Sequence, residues 1–231
     1  MGNEMISLII PTYNEEKNIE ECINRANTAL SSYNHEIIVI DDNSQDRTAS
    51  IAESLGASVF VRKKDRGLAK SVVCGINQSK GEIIGVMDAD LSHPPELIPE
   101  LIKTLDNYDI AIASRLVEGG GAEGWPRHRK FSSFIGTFIA KGLTSISDPM
   151  SGFFFLKRSV IEKIPFKPKG YKILLEILIK GNYNGVKEVP FIFRDRTQGE
   201  SKLSFFVGLE YILQTIELYW WKLANRKANP K

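Results

Sequence analysis

Five short apolar runs rich in β-branched residues, MISLII, EIIVI, ASVFV, EIIGVMDAD and DIAIASR, alternate with amphipathic stretches through the first half of the chain. Parallel strands need crossovers and are buried on both faces, so this alternation predicts an α/β fold with a mostly parallel central sheet and helices on both faces. The intervening segments NEEKNIEECINRANTAL, SQDRTASIAESLG, LAKSVVCGINQSK and PELIPELIKTLDNY read as helices, the last entered through Pro94 and Pro95. Each strand run ends in polar residues. Ligands of open α/β sheets bind outside the carboxyl ends of the strands, and Asp41, Asp42, Asp88, Asp90 and Arg115 all fall there.

Beyond Arg115 the pattern changes. VEGGGAEGWPRHRK has little apolar content and reads as a mobile loop. FSSFIGTFIAKGL follows as a small-residue helix, FFFLKR as a strand, YKILLEILIKGN as a helix and VKEVPFIFRD as another strand. Leu203 to Trp221 is long enough to span a bilayer, but Glu210, Gln214 and Glu217 form a polar stripe at i, i+4 and i+7. Acidic groups near a bilayer centre cost several kcal/mol, so the segment reads as an amphipathic helix with a wide apolar face. It either packs on the sheet with the stripe toward water or lies at an interface. In the second case Trp220 and Trp221 sit at headgroup depth, with Lys222, Arg226 and Lys227 against anionic lipid. Residues 1–202 are expected to form the main domain and 203–231 the C-terminal helix and tail.

Composition narrows the function classes. Thirty Lys+Arg against 28 Asp+Glu is too balanced to mark a nucleic-acid protein. At 231 residues the chain buries enough surface to need no disulfide or structural metal. Cys22 and Cys74 lack metal-ligand spacing and read as reduced, packed thiols, with the cytosol as default compartment. MGNEMISLIIPTYNEE has neither the basic start nor the cleavage site of a signal peptide. His35, His93 and His128 have no zinc spacing, although His93 stands beside the DAD sequence and can line a pocket there. Gly119 to Gly124 spells GxGxxG, but Trp125-Pro126 follows it and no acidic strand end comes about 20 residues later. A flexible lid is expected there.

Asp88-Ala89-Asp90 closes an apolar strand. Two carboxylates two apart at a strand end suit a hard divalent cation such as Mg²⁺, which then bridges substrate phosphates. Alone the pair is weak evidence, just as Pro11 to Glu15 can by itself equally be a turn and a helix start, and Asp42 a helix cap. Tyr13 offers a flat surface for a base, and Asp42 can accept hydrogen bonds from a purine's imino and amino groups or from the N–H of uracil.

Together the motifs are more specific. PTYNEE, IVIDDNSQDRT, GLAKSVVCGI, VMDADLSHPPE, ASR, SDPMSGFFFLKR and DRTQGESKL follow one another as in glycosyltransferase family 2, and resemble its dolichyl-phosphate mannosyltransferase branch from Ile6 to Lys202. The resemblance implies a GT-A nucleotide-sugar-binding fold and metal-dependent, inverting transfer of mannose from GDP-mannose to dolichyl or another polyprenyl phosphate, with Mg²⁺ or Mn²⁺. It implies that Pro11, Tyr13, Glu15, Ile40 and Asp42 cradle the nucleoside. Asp88 and Asp90 would bind metal, Ala89 and Ser92 would line the diphosphate and sugar site, and Ser92 stands where many relatives carry glutamine. Lys172, Arg196 and Lys202 match basic positions facing the nucleotide phosphates. Arg115, Arg129 and Ser133 match the acceptor-phosphate side, Arg115, Arg129 and Asp90 being assigned to catalysis. Action at the cytoplasmic face of a membrane is expected, peripherally or through a membrane subunit. The alternatives are a UDP-glucose enzyme with the same acceptor and a non-catalytic nucleotide-sugar-binding subunit.

Overall fold

The computed structural model describes residues 4–124, 136–167, 172–194 and 205–225. Strands β1 (Ile6–Thr12), β2 (His35–Asp41), β3 (Ser58–Val61), β4 (Ile83–Val86), β5 (Ile110–Ser114), β7 (Phe154–Lys157) and β8 (Val186–Pro190) form a seven-stranded sheet in the order β3-β2-β1-β4-β7-β5-β8. All neighbours are parallel except β7, which runs antiparallel to both β4 and β5. The carboxyl ends of β1, β2, β4 and β5 therefore share one edge. Reversal of β7 brings the residues before it, Asp148 to Phe153, to that same edge.

The sheet is buried on both faces, as the continuous apolar strands predict. Ile6, Leu8 and Ile10 meet helices α1 (Ile19–Leu30), α2 (Thr48–Ser54) and α4 (Ile98–Thr104) on one side. Ile9, Ile38 and Ile40 meet α3 (Leu68–Gln78) and α6 (Ile173–Lys180) on the other. Gly75 of α3 lies over Ile9, where an added Cβ would come within 2.4 Å of the Ile9 side chain, so glycine sets the closeness of helix and sheet.

Three segments depart from the expectation. PELIPELIKTLDNY is a 3₁₀ turn, Pro95–Leu97, followed by α4, because Pro99 has no N–H to donate and fits only the first turn of a new helix. VKEVPFIFRD is two strands: after Phe191 the chain leaves the main sheet, and β9 (Ile192–Arg194) pairs in parallel with β6 (Gly121–Glu123). The glycine-rich segment thus carries a strand where a loop was expected.

Helical residues 136–141 (α5) and the C-terminal helix α7 (Phe205–Asn225) pack together with α6 through Ala140, Leu143, Met150, Leu175, Tyr211 and Leu218. The expected outward polar stripe on α7 is broken. Gln214 and Thr215 are buried, whereas Ile212, Leu213, Ile216, Tyr219, Trp220 and Leu223 are exposed, Trp220 by 70%. Tyr211 Oη donates to Gly136 O (2.6 Å), Lys222 Nζ to Leu143 O (2.7 Å) and Gln214 Nε2 to Lys172 O (3.4 Å), so polar groups anchor the inner face. Among the described residues no helix is long and apolar enough to cross a membrane.

Candidate active site

Left-handed residues turn the chain at three strand ends along the shared edge: Asn14 (φ 54°), Asn43 (φ 61°) and Leu91 (φ 61°). Asparagine tolerates this region, but leucine seldom adopts it, so Leu91 marks local strain within the DADLS segment. The turn brings the Ser92 N–H (3.1 Å) and hydroxyl (2.5 Å) back as donors to Asp90 Oδ1. Asp90, Ala89 and Ser92 are buried, while the Asp88 side chain is 32% exposed.

His93 is the hub beneath these carboxylates. Its Nδ1 accepts the Asp88 backbone N–H (3.2 Å), which places the proton of a neutral ring on Nε2. The ring stacks on Phe153 (5.3 Å between centroids) and meets Phe191 and Phe193 edge-on. Burial pushes its pKa down; Asp88 and Asp90 oppose that effect, while Arg115 and Lys172 reinforce it. Of these groups Asp88 lies nearest, its Oδ2 3.7 Å from His93 Nδ1. A Cβ on Gly152 would lie 3.0 Å from Asp88 Oδ2 and 3.2 Å from His93 Cε1, so any larger residue would crowd the carboxylate and the ring and need both to give by a few tenths of an ångström. Burial, with Asp90 next in effect, drives the neighbouring Cys22 thiol up to about 12, which makes it an inert packed group, as expected.

The donors at Asp88 and Asp90 fit a hard cation, because both are carboxylates at an open strand end. Among the described residues no three acidic, histidine or cysteine side chains converge on a metal position, so substrate or water oxygens would complete the coordination.

Arg115 leaves β5 and is fixed by Asp148, which is fully buried. Its Nε donates to Oδ2 and its Nη2 to Oδ1, both at 2.7 Å. Glu188 in turn accepts the Ser147 and Asp148 N–H groups and the Ser114 hydroxyl. The Nε–Nη2 fork of Arg115 thus faces a carboxylate of its own chain. Lys172 stands before α6 and donates to Met150 O (2.9 Å), tying α6 to the same loop.

At the other end of the edge, Pro11 pairs with Ile40 in the β1–β2 register, Tyr13 and Glu15 are half-buried, and Asp42 is buried. Asp42 forms an ion pair with Arg62 (2.8 Å) and accepts the Gly67 N–H and the Ser71 hydroxyl, each at 2.8 Å. Asp41 serves the turn, accepting from Thr12 and Ser44. Arg66 lies 4.4 Å from the Tyr13 ring centroid. Arg129, Ser133, Arg196 and Lys202, and His128 of the glycine-rich segment, lie outside the described residues. Arg62, Arg66, His93's bonding, Asp148 and Gly152 were not resolved as site components in the sequence. The last two stood within the SDPMSGFF motif, and Arg66 follows a strand that ends at the ligand edge.

Similarity to known proteins agrees with this architecture. A solved structure of glucosyl-3-phosphoglycerate synthase from Mycobacterium tuberculosis superposes with a TM-score of 0.72 at 20% identity, covering 93% of this chain and 80% of that one. Another structure of that synthase holds Mn²⁺, UDP-glucose and phosphoglyceric acid, also with a TM-score of 0.72. At this identity the likeness establishes the GT-A fold. Dolichol-phosphate mannosyltransferase of Pyrococcus furiosus is 46% identical over 226 residues, covering 94% of this chain, which spans 64% of that protein's length. The Saccharomyces cerevisiae protein of the same name is 37% identical over 233 residues, covering 94% of this chain and 87% of its own. Residues 7–165 match glycosyl transferase family 2 directly, and with that match the chain belongs to glycosyltransferase family 2.

Proposed function

We propose that the chain transfers mannose from GDP-mannose to dolichyl or another polyprenyl phosphate, with inversion at the sugar, at the cytoplasmic surface of a membrane. The observation carrying this reading is the placement of Asp88, Asp90 and Arg115 just beyond the carboxyl ends of β4 and β5 on one edge of the sheet, in a chain whose relatives named dolichol-phosphate mannosyltransferase match almost all of it. In this reading an acceptor phosphate oxygen forms a bond to C1 of mannose, the C1–O bond to the diphosphate breaks, and GDP leaves with the electron pair. The acceptor is already an oxyanion near neutral pH, so the chain's task is alignment and charge stabilisation rather than strong-base catalysis.

Asp88 and Asp90 would hold Mg²⁺ or Mn²⁺, which supplies positive charge to the departing diphosphate. Ser92 orients Asp90, and the absence of a side chain on Gly152 leaves Asp88 its room. Lys172 adds charge on the donor side, and Arg115, held rigid by Asp148, adds it on the acceptor side. Arg129, Ser133, Arg196 and Lys202 complete the proposed substrate contacts, with Pro11, Tyr13, Glu15, Ile40 and Asp42 at the nucleoside and Ala89 beside the sugar. Residues 1–202 carry the chemistry, and 203–231 meet the lipid surface, directly or through a membrane subunit. The exposed apolar face of α7 supports that placement.

Labelled GDP-mannose and, in parallel, UDP-glucose should be incubated with a short polyprenyl phosphate and Mg²⁺ or Mn²⁺, with and without EDTA. Mannosyl lipid formed only with metal, and lost in a folded Asp90→Ala variant, is the expected result. Glucosyl lipid would change the donor, and full activity of the variant would remove Asp90 from the mechanism.

A further inference from the structure

Residues 147–152 touch three parts of the candidate site: Asp148 holds Arg115, Met150 O accepts from Lys172 Nζ, and Gly152 lies beside Asp88. What fixes the start of this segment comes from the edge strand of the sheet. Glu188 of β8 pairs with Ile112 of β5, so its side chain shares a sheet face with Ile112 and, two residues on, Ser114. Val186 packs on that face against the cluster containing Ile110 and Ile112, and a half-buried carboxylate there is costly unless its oxygens are met. Three donors meet them. Oε1 accepts the Asp148 N–H (2.9 Å) and the Ser114 hydroxyl (2.8 Å), and Oε2 accepts the Ser147 N–H (2.8 Å). Two of the donors are consecutive amides of the segment, and the third stands directly before Arg115.

Asp148 in turn accepts three bonds from Arg115, from the backbone N–H (3.1 Å), Nε and Nη2, so a shift of the Asp148 backbone is passed on to the guanidinium. We propose that Glu188 is a positioning residue for the transfer reaction: its two carboxylate oxygens set the Ser147–Asp148 backbone and, through Asp148, aim Arg115 at the acceptor phosphate. The site accepts from every side and has no place for a donor. A glutamine amide keeps one oxygen and turns its NH₂ toward an amide N–H that has only a hydrogen to offer. Glu188 thus acts through Asp148 rather than on the substrates. This inference rests on the reading of Arg115 as an acceptor-side cation.

Transfer from saturating labelled donor, GDP-mannose or UDP-glucose, to a short polyprenyl phosphate by the full chain, Glu188→Gln, Arg115→Lys and the double variant tests it, with GDP affinity measured by calorimetry on each. Glu188→Gln is expected to lower kcat/KM for the acceptor by about tenfold or more, the scale of a charge-assisted hydrogen bond lost and set against a donor, and to leave GDP affinity within about twofold. In the Arg115→Lys background the same substitution should cost less than about threefold, because an ammonium cannot be held and aimed as a fork. Equal losses in both backgrounds, GDP affinity falling in step with acceptor kcat/KM, or unchanged acceptor kinetics in Glu188→Gln would each overturn the proposal. Should Glu188→Gln not fold, Ser114→Ala removes one of the three donors and is read by the same cycle, with an expected loss of about threefold that vanishes beside Arg115→Lys. A parent chain that forms no glycosyl lipid from either donor would overturn the acceptor reading itself, whereas an active parent with an indifferent variant would overturn this inference alone.

Discussion

Helices α1 and α7 are both amphipathic and face opposite ways. α1 buries Ile19, Cys22, Ile23, Ala26 and Leu30 against the sheet and turns Glu20, Glu21 and Asn24 to water. α7 buries Gln214 and Thr215 beside Tyr211 and Leu218, and turns Ile212, Leu213, Ile216, Tyr219, Trp220 and Leu223 outward. The outer surface of α1 is complete in water alone. The outer surface of α7 gains from an apolar environment, which is the physical ground of the proposal that it meets lipid.

The contrast can be broken most forcefully by truncation. Ile23→Ala should cost about 2–5 kcal/mol in urea unfolding, because it leaves a cavity in a closed core, whereas Ile216→Ala should cost under about 0.5 kcal/mol. Equal losses would mean that α7 is as enclosed as α1. Next in size is the pair Ile216→Ser with Trp220→Ser, which removes two exposed apolar side chains. Binding to anionic phospholipid vesicles should fall by roughly tenfold or more while GDP affinity in solution holds, and undiminished flotation would separate α7 from the membrane.

A smaller effect sharpens the inner face. Among the described residues Gln214 Oε1 is buried without a hydrogen-bond partner, and Nε2 makes a single bond of 3.4 Å. Gln214→Leu should therefore be neutral or stabilising by up to about 1 kcal/mol, read as an equal or higher melting temperature. A clear loss would show that the polar inner face is itself required. The smallest effect lies on α1's outer side, where Arg25 holds Glu96 through two bonds of 2.8 Å. The Arg25 hydrogen bond is the main cause that lowers the Glu96 pKa, with burial opposing it. A depressed carboxylate pKa contributes stability that is present above the unfolded value and is lost as pH falls through the folded one. Glu96→Gln should accordingly cost under about 1 kcal/mol at neutral pH, the range of an exposed pair, and the gap to the parent chain should close below about pH 4. A gap independent of pH would point to lost packing instead.

The sheet's first four strands and the carboxylates that follow β2 and β4 were legible because both signals are local: a continuous apolar run, and a polar residue where it stops. Reversal of β7 was not, since FFFLKR reads the same in either direction and its orientation depends on which strands flank it. The roles of Asp148 and Gly152 follow from that reversal and stayed hidden with it. Arg62 and Asp42 are 20 positions apart and meet only because β2 and β3 are neighbours. The polar spacing of Glu210, Gln214 and Glu217 misled in a different way. Helical periodicity locates a stripe but does not say which side faces the core, and here Gln214 faces inward.

The reversed strand has a further consequence. The chain leaves β5 after Ser114 and re-enters the sheet at Phe154, and both points lie on the ligand edge because β5 and β7 pair antiparallel. Residues 115–153 are therefore a round trip that begins and ends at the same doorway. Both ends of that excursion are tied down at the doorway, Arg115 to Asp148 and Phe153 O to the Ala113 N–H (2.9 Å), so a change in the length of its middle would not shift the strands that it joins.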